Sequence, residues 1–180
     1  MQCGGRESLP AFNKGKSMLI GIIGYSQSGK DTAWEFGLKR LGVERRAFAD
    51  VLKQEVADEY GIPSQEIEEH KALWRPRLVS HGESMRQVDP DYWTKKVLTG
   101  LDGKKVAITD VRYLNEAKQI LAHNGTLIYI FRPGFRAANL TEEKSIFDVH
   151  QFCKSNIMCF INDSSKEDLG KLVGNMFEGT

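Results

Sequence analysis

The sequence predicts an α/β fold in which a five-stranded parallel sheet carries helices on both faces. Three observations lead to this fold. The run MLIGIIG at 18–24 is short and continuously apolar, as a strand buried on both faces would be. Similar apolar runs alternate with helical patterns along the chain, which favours a parallel sheet. A glycine-rich turn follows the first strand, at the edge of the sheet where ligands of such folds bind.

The predicted elements alternate from Met18 onward. Strands are expected at 18–24, 44–49, 105–109, 126–131 and 157–161. Helices are expected at 30–41, 50–60, 64–74, 77–86, 90–101, 114–123, 141–152 and from 165 onward, with a break at Pro76. Ser64 and Ser165 are typical helix caps, and Asn124-Gly125 is a typical helix stop.

We expect residues 18–180 to form a single domain, with a helical insert at about 62–101 between the second and third strands. Residues 1–17 are polar and aperiodic, which indicates a disordered leader or a remnant of recombinant expression. The net charge of +1 gives no global attraction to nucleic acid or to a membrane. No stretch approaches the ~18 apolar residues of a membrane span. The sequence does not fix the oligomeric state, and a homodimer is one alternative.

The cysteines are few and odd in number, which fits a reduced, cytoplasmic setting better than a disulfide framework. Cys153 and Cys159 lie close to His150 in sequence. A metal site there is one reading, but the spacing matches no common pattern and lacks a fourth ligand. Ordinary packing is therefore the favoured interpretation.

The turn after the first strand has the pattern G-x-x-x-x-G-K and opens the first helix. In such a phosphate-binding loop (P-loop), glycines let successive N–H groups point at phosphate oxygens, and the helix N-terminus adds positive charge. A lysine supplies a full charge for the β- and γ-phosphates. The predicted nucleotide-binding residues are Gly24, Ser26, Gln27, Ser28, Gly29, Lys30, Asp31 and Thr32.

One position departs from the usual loop pattern. Asp31 stands where Ser or Thr normally assists Mg²⁺, and Thr32 follows one residue later. We therefore expect Thr32 to help hold the metal. Asp110 ends the apolar run VAITD, and an apolar strand that ends in Asp resembles a Walker B segment. Asp110 is therefore the other predicted magnesium ligand. The alternative is that Asp110 only caps a turn.

Several cations and an aromatic residue are candidates for handling substrates. Arg112 follows Asp110 by two and could neutralise a transferring phosphoryl group, unless it simply pairs with Glu116. Lys30, Asp110 and Arg112 are the predicted catalytic residues. The predicted acceptor-side residues are Asp50, Lys53, Arg75, Arg86, Trp93 and Arg112. The structural alternatives are a helix cap for Asp50 and an exposed side chain for Lys53. For Arg75 and Arg77 the alternative is a solvated basic face, and for Trp93 it is a position in the core.

Four segments together resemble the deoxynucleoside monophosphate kinases of bacteriophage type, which have a P-loop NTPase fold. They are GYSQSGKDTA, AFADVLKQEV, HGESMRQVDPDYWTKKV and VAITDVRYLNEA. The tail FINDSSKEDLGKLV is similar to the closing strand and helix of many such kinases, and the likeness runs from about Met18 to Val173. The resemblance implies transfer of the ATP γ-phosphoryl group to a deoxynucleoside 5′-monophosphate, with ATP and Mg²⁺ as cofactors. It also implies that the partners are small nucleotides and that the protein acts in the cytoplasm, which would be the host cytoplasm if the chain is viral.

Two other functions remain open from the residues. One is a P-loop kinase for another small phosphorylated acceptor. The other is a nucleotide-binding regulatory module without transferase activity, although no convincing N-K-x-D guanine-reading motif is present. Binding of nucleic acid is disfavoured by the near-zero net charge.

Overall fold

The computed structural model describes residues 17–153 and 157–178. The expectation for residues 1–17 therefore falls almost wholly outside the described part of the chain. The chain divides into two compact units. The first comprises the described residues up to Arg45 and from Leu101 onward, and the second is Arg46–Gly100.

The first unit is built on a five-stranded sheet, as the apolar runs predict. The strands are β1 Met18–Ile23, β2 Glu44–Arg46, β3 Lys105–Val111, β4 Thr126–Phe131 and β5 Ile157–Ile161, in the order β2-β3-β1-β4-β5. β1 pairs in parallel with β3 and β4, and β4 pairs in parallel with β5. The sheet therefore has the predicted parallel topology, and the carboxyl end of β1 leads into the glycine-rich loop.

The described helices follow the predicted alternation. They are α1 Lys30–Ala33, extended by a π turn Trp34–Leu38 and a 3₁₀ turn Lys39–Leu41, then α2 Phe48–Tyr60, α3 Ser64–Glu69, α4 Lys71–Val88, α5 Tyr92–Val97, α6 Leu114–Ala122, α7 Leu140–Phe152 and α8 Lys166–Phe177. None of these helices has both the length and the apolar character needed to cross a membrane.

Four predicted boundaries were wrong. β2 ends at Arg46, because α2 already begins at Phe48. β3 runs on to Val111, so Asp110 lies within the strand. The expected break at Pro76 is absent, since Pro76 lies in the second turn of α4, where it removes one backbone hydrogen bond, and the break comes at His70 instead. α5 spans only Tyr92–Val97, rather than the predicted 90–101.

Alternate residues of β1 show that helices cover both faces of the sheet. Ile20 and Ile22 share a buried cluster with Leu169 of α8. Gly21 faces the other way, where a Cβ atom would come within 2.8 Å of the Ile120 side chain of α6. Every residue of β1 is buried, which explains its continuous apolar run.

The second unit consists mainly of helices α2 to α5 and has a small core of its own. Its buried cluster contains Val56, Ala57, Ile67 and Trp74. The guanidinium of Arg77 lies 5.4 Å from the centre of the Trp74 ring, in the range of a cation–π contact. This packing supports the structural interpretation of Arg77 that the sequence left open.

Candidate active site

The glycine-rich loop has the backbone conformation that its sequence predicts. Gly24 has φ +154°, and a Cβ atom there would lie 2.5 Å from Ser28 Oγ and 2.6 Å from the carbonyl oxygen of Ile130. Gly29 has φ +104°, and its Cβ would lie 2.5 Å from Asn162 Nδ2. Neither position accepts a side chain, because both the space and the left-handed backbone favour glycine.

Residues that follow β4 and β5 support the loop from the side. Asn162 donates from Nδ2 to the Ser28 carbonyl at 2.8 Å and from its main chain to the Phe131 carbonyl at 2.7 Å. Arg132 donates to the Gln27 carbonyl at 3.2 Å. Sequence analysis missed Asn162 and Arg132. The signal that could have found them is their position directly after a strand, where parallel sheets place their ligand sites.

Lys30 is buried beneath this loop. Its side chain donates to the carbonyl oxygens of Gly24 at 2.8 Å and Tyr25 at 2.7 Å. Burial and, to a smaller extent, the nearby Arg112 guanidinium lower the pKa of Lys30 from 10.5 to about 8, although neighbouring carboxylates partly oppose the shift. A buried lysine with a lowered pKa, held against a loop shaped for anions, is suited to bind phosphate.

A cavity of about 310 Å³ opens beside the loop, and its charged lining residues are three cations, Lys30, Arg132 and Lys166, and one carboxylate, Asp31. Thr32 lines the same cavity. The convergence of three cations on one concave space favours a polyanionic ligand.

The donor set fits Mg²⁺ chemistry. Magnesium in nucleotide sites takes few protein oxygens, commonly one or two carboxylates, with phosphates and waters completing its shell. Thr32 offers a hydroxyl on α1, the helix that begins at Lys30. Asp110 offers a carboxylate on β3, and its charge favours the protonated form of Lys30. The Ser28 hydroxyl is buried, and no described atom forms a hydrogen bond with it, so the loop retains a polar group for a ligand. Asp31 instead forms an ion pair with Arg45 at 3.2 Å.

The cysteine and histidine residues near the C-terminus pack as ordinary side chains where they are described. Cys153 is buried, and burial raises its pKa to about 11, which disfavours the thiolate that a metal needs. Within residues 17–153 and 157–178, no three His, Cys, Asp or Glu side chains form a group that could hold a metal ion.

The segment after β3 is held by a buried carboxylate. Glu116, 2% exposed, accepts main-chain hydrogen bonds from Arg112 at 2.8 Å and Tyr113 at 3.0 Å. The sequence left open a pairing of the Arg112 side chain with Glu116. In the structure Glu116 takes the main-chain N–H of Arg112, and the guanidinium pairs with Glu142 at 3.6 Å. Glu116 thus positions Arg112 while the arginine head reaches toward α7.

Glu142 is a site residue that sequence reasoning missed. It is 5% exposed and lies in the first turn of α7, where Asn139 caps the helix by accepting from the Glu142 N–H at 2.8 Å. Its carboxylate accepts from the main-chain N–H groups of Ser26, in the loop, at 3.1 Å and Ala138 at 2.7 Å. The Asn-x-x-Glu spacing signals a capping box, but no local pattern indicates that the carboxylate reaches the loop.

Comparison with known proteins identifies a viral relative. A protein of Acanthamoeba polyphaga mimivirus, named "Putative deoxynucleotide monophosphate kinase", is 29% identical over 148 residues, which cover 65% of this chain and 75% of that protein. The resemblance that the motifs indicated is thereby confirmed. No known family model matches the chain.

Solved structures with similar folds include several kinases. Dephospho-CoA kinase from Campylobacter jejuni has a TM-score of 0.53 at 14% identity, covering 89% of this chain and 95% of that one. Shikimate kinase from Acinetobacter baumannii, in complex with shikimate, has a TM-score of 0.50 at 14% identity, covering 89% and 92%. The chain has the P-loop kinase fold. Its own loop geometry and the viral relative together support phosphoryl transfer by a P-loop kinase.

Two predicted acceptor-side residues, Trp93 on α5 and Arg86 on α4, form hydrogen bonds with the same carbonyl group of α4. Trp93 is 2% exposed and donates from its indole to the Gly82 carbonyl at 3.3 Å. Arg86 donates to the same carbonyl at 3.2 Å. Trp93 thus occupies the core position that the sequence offered as its structural alternative, and a substrate role for either residue stays a prediction.

The other predicted acceptor-side residues of the second unit lie on α2 and α4. Lys53 pairs with Glu68 at 2.5 Å and with Asp50 at 3.4 Å. Asp50 is exposed in the first turn of α2, and Arg75 is exposed on α4. Their substrate contacts also stay predictions, although the acidic partners give Lys53 a structural role as well.

Proposed function

We propose that the chain transfers the γ-phosphoryl group of ATP to a deoxynucleoside 5′-monophosphate, giving the diphosphate and ADP. The observation that carries the proposal is the loop that buries Lys30 beside a cavity lined by cations. The motif resemblance and the name of the viral relative support a deoxynucleotide acceptor.

The donor polyphosphate fits the loop and its flanking cations. In this proposal Lys30 exchanges its hydrogen bonds to loop carbonyls for contacts with the β- and γ-phosphates, while the remaining loop residues offer main-chain N–H groups. Arg132 and Lys166 add positive charge at the cavity wall. Thr32 and Asp110 would hold Mg²⁺, which supplies charge neutralisation at the transferring phosphoryl group when it is bound.

The reaction needs positioning more than it needs a base. The acceptor phosphate is already an oxyanion, so it attacks the γ-phosphorus directly. A bond forms from the acceptor oxygen to that phosphorus as the bond to the bridging oxygen of ADP breaks, and ADP leaves with that oxygen. Lys30 and Arg112 neutralise the two polyanions and hold them in line, which is where most of the acceleration arises.

The acceptor is proposed to meet Asp50, Lys53, Arg75, Arg86 and Trp93 as well as Arg112. The 62–101 insert is proposed to move over the substrates, since water in the site would hydrolyse ATP. Hydrogen exchange tests this: protection within 62–101 should rise when ATP and the acceptor are added together. Unchanged exchange there would rule out closure.

The deciding experiment is a coupled assay of ADP release with Mg²⁺ and ATP. The acceptor panel contains each deoxynucleoside monophosphate, each ribonucleoside monophosphate and a sample without acceptor, and Lys30→Ala is the control. Release that depends on a deoxynucleotide and disappears in Lys30→Ala supports the proposal and names the base. Release with a non-nucleotide phosphorylated acceptor would support the other kinase function, and ATP binding without turnover would support the regulatory module.

A further inference from the structure

The carboxylate of Glu142 occupies a position built from anion-binding donors. It accepts from the Ser26 N–H of the phosphate-binding loop at 3.1 Å, and the Arg112 guanidinium pairs with it at 3.6 Å. Both donors are of the kind that bind phosphate, one a loop amide and the other an arginine. The Ala138 N–H, at 2.7 Å, completes the set.

The contact of Glu142 with these donors is buried. The Glu142 side chain is only 4% exposed, whereas the neighbouring Glu143 is exposed on the same turn of α7. A buried carboxylate requires compensating donors, and here two of the three belong to the proposed phosphate site. The negative charge of Glu142 also reaches the buried lysine, since it favours the protonated form of Lys30.

We propose that Glu142 is an internal competitor for phosphate, which occupies the anion position at Ser26 and Arg112 until a polyphosphate displaces it. The inference rests on the proposed function and adds a device for substrate selection. A ligand of high charge, such as a triphosphate, gains enough from the loop and Lys30 to replace the carboxylate. An anion of low charge, such as inorganic phosphate, does not.

Displacement has a defined structural consequence. Ala138 and Ser26 lose their shared acceptor, and the first turn of α7 moves away from the loop or rotates its carboxylate outward. The Asn139 cap keeps the helix itself intact, because it bonds to the Glu142 main chain rather than to its carboxylate.

The first test compares Glu142→Gln with the native chain in calorimetric titrations with ATP and with inorganic tripolyphosphate. Glutamine keeps the size of the side chain but removes the charge. We expect both ligands to bind about tenfold more tightly to Glu142→Gln, within the usual range of coupling between competing ligands. Glu143→Gln removes the same charge from the adjacent, exposed position and should leave both affinities unchanged.

Unchanged or weaker binding by Glu142→Gln would overturn the inference, because a purely structural carboxylate would loosen the loop when removed. That result would leave the kinase proposal standing if the native chain still binds ATP. Failure of the native chain to bind either ligand would overturn the phosphate site and the kinase proposal together. Equal tightening in Glu143→Gln would overturn the specific role of Glu142 in favour of a general charge effect.

A second test uses the native chain and does not depend on the folding of a variant. Saturating ATP should accelerate hydrogen exchange of the Ala138 amide several-fold, because its carboxylate acceptor is released. Exchange at that amide is thus expected to change in the direction opposite to ordinary ligand protection. Slower or unchanged exchange of Ala138 in a chain that binds ATP would contradict the displacement of Glu142.

Discussion

Lys30 in the first unit and two paired lysines in the second unit, Lys53 and Lys96, have pKa values shifted in opposite directions. In the first unit, burial and the Arg112 guanidinium lower the pKa of Lys30 to about 8. In the second unit, the hydrogen bond to Glu55 raises the pKa of Lys96. Burial alone would lower the pKa of Lys53, but the carboxylates of Glu68 and Asp50 raise it above the ordinary value. The first unit therefore holds a cation at a cost in stability, and the second pairs its cations locally.

This difference separates charges placed for a ligand from charges placed for the fold. Glu55 illustrates the second kind, since it accepts from Tyr92 at 3.1 Å, lies 3.2 Å from a ring nitrogen of His81 and pairs with Lys96. It thereby links α2, α4 and α5. Lys30 instead donates to two carbonyl oxygens of the loop, those of Gly24 and Tyr25. Such a group gains most when a phosphate arrives.

The largest expected effect follows from removing the charge of Lys30. Lys30→Met should reduce turnover by at least about 10²–10³-fold, as the loss of one preorganised transition-state donor does. It should also increase the free energy of unfolding at pH 7 by about 1–2 kcal/mol, because a desolvated charge is removed. Lys144→Met, at an exposed lysine on α7, should change neither quantity. A lower melting temperature in Lys30→Met would break the comparison between the units.

The next effect concerns the carboxylate that anchors Arg112. Glu116→Ala removes the acceptor of two main-chain N–H groups and should lower the free energy of unfolding by about 3 kcal/mol, since hydrogen bonds to charged groups contribute about 1.5–3 kcal/mol. Chemical denaturation measures this change, with Glu35→Ala as the exposed control. Turnover should fall as well, because Arg112 loses its support. Stability within 0.5 kcal/mol of the native value would show that other contacts hold this segment.

A smaller effect is the pH dependence of ATP binding. Bound phosphate should raise the pKa of Lys30 above its value of about 8 in the free protein. Binding then takes up a proton above that pH, so affinity should fall as pH rises through about 8, by up to about tenfold per pH unit. Below pH 8 this group should add no pH dependence. Titrations in buffers of different ionisation enthalpy would detect the proton uptake, and affinity that is flat from pH 7 to 9.5 would contradict it.

Lys30 also makes the free energy of unfolding depend on pH, with a sign opposite to that of ATP affinity. Its pKa is lower in the folded chain than the ordinary 10.5, so the unfolded chain binds more protons between about 8 and 10.5. The contribution of Lys30 to the free energy of unfolding therefore rises with pH across that window. Comparing native and Lys30→Met melting curves isolates this contribution from those of other groups.

The smallest effect tests the paired charges of the second unit. Glu55→Gln should lower the free energy of unfolding by about 1 kcal/mol at pH 7, because partly exposed ion pairs are weakened by solvent. Although burial opposes the shift, the contacts with Lys96 and His81 hold the pKa of Glu55 below 4.5. This contribution to stability is therefore present above that pH and is lost as the pH falls through the folded-state pKa. The difference from Glu83→Gln, an exposed control on α4, should shrink in 1 M salt. A difference that does not change with salt would indicate packing rather than charge.

Much of the fold could be predicted because its signals are local. β4 and β5 lie where their apolar runs predicted, and Asn124 adopts φ 56° at the predicted helix stop. The loop from Gly24 to Lys30 was recognisable because glycine spacing and the following helix occur within one short segment. The break at His70, by contrast, was wrongly predicted at Pro76, which lies within α4 two residues after the buried Trp74.

The site was predicted less completely than the fold. The sequence predicts the loop, Thr32 and Asp110, whose ligand contacts stay predictions, whereas it gives no indication of Asn162, Arg132 or Glu142. Each missed residue acts through a contact with a distant part of the chain: Asn162 lies 134 positions from Ser28, and Glu142 lies 116 positions from Ser26. Such contacts depend on which strands become neighbours, and no local pattern carries that information.

By itself, the sequence determined the order of strands and helices, the phosphate-binding loop and the lysine within it, because periodicity and glycine geometry act over a few residues. The tertiary structure alone decided the degree of burial of Lys30, and hence its lowered pKa, since desolvation depends on everything packed around the group. It also decided that the Arg112 side chain faces Glu142 instead of Glu116. The order of the strands brings the end of β3, the loop after β1 and the start of α7 together at one edge of the sheet.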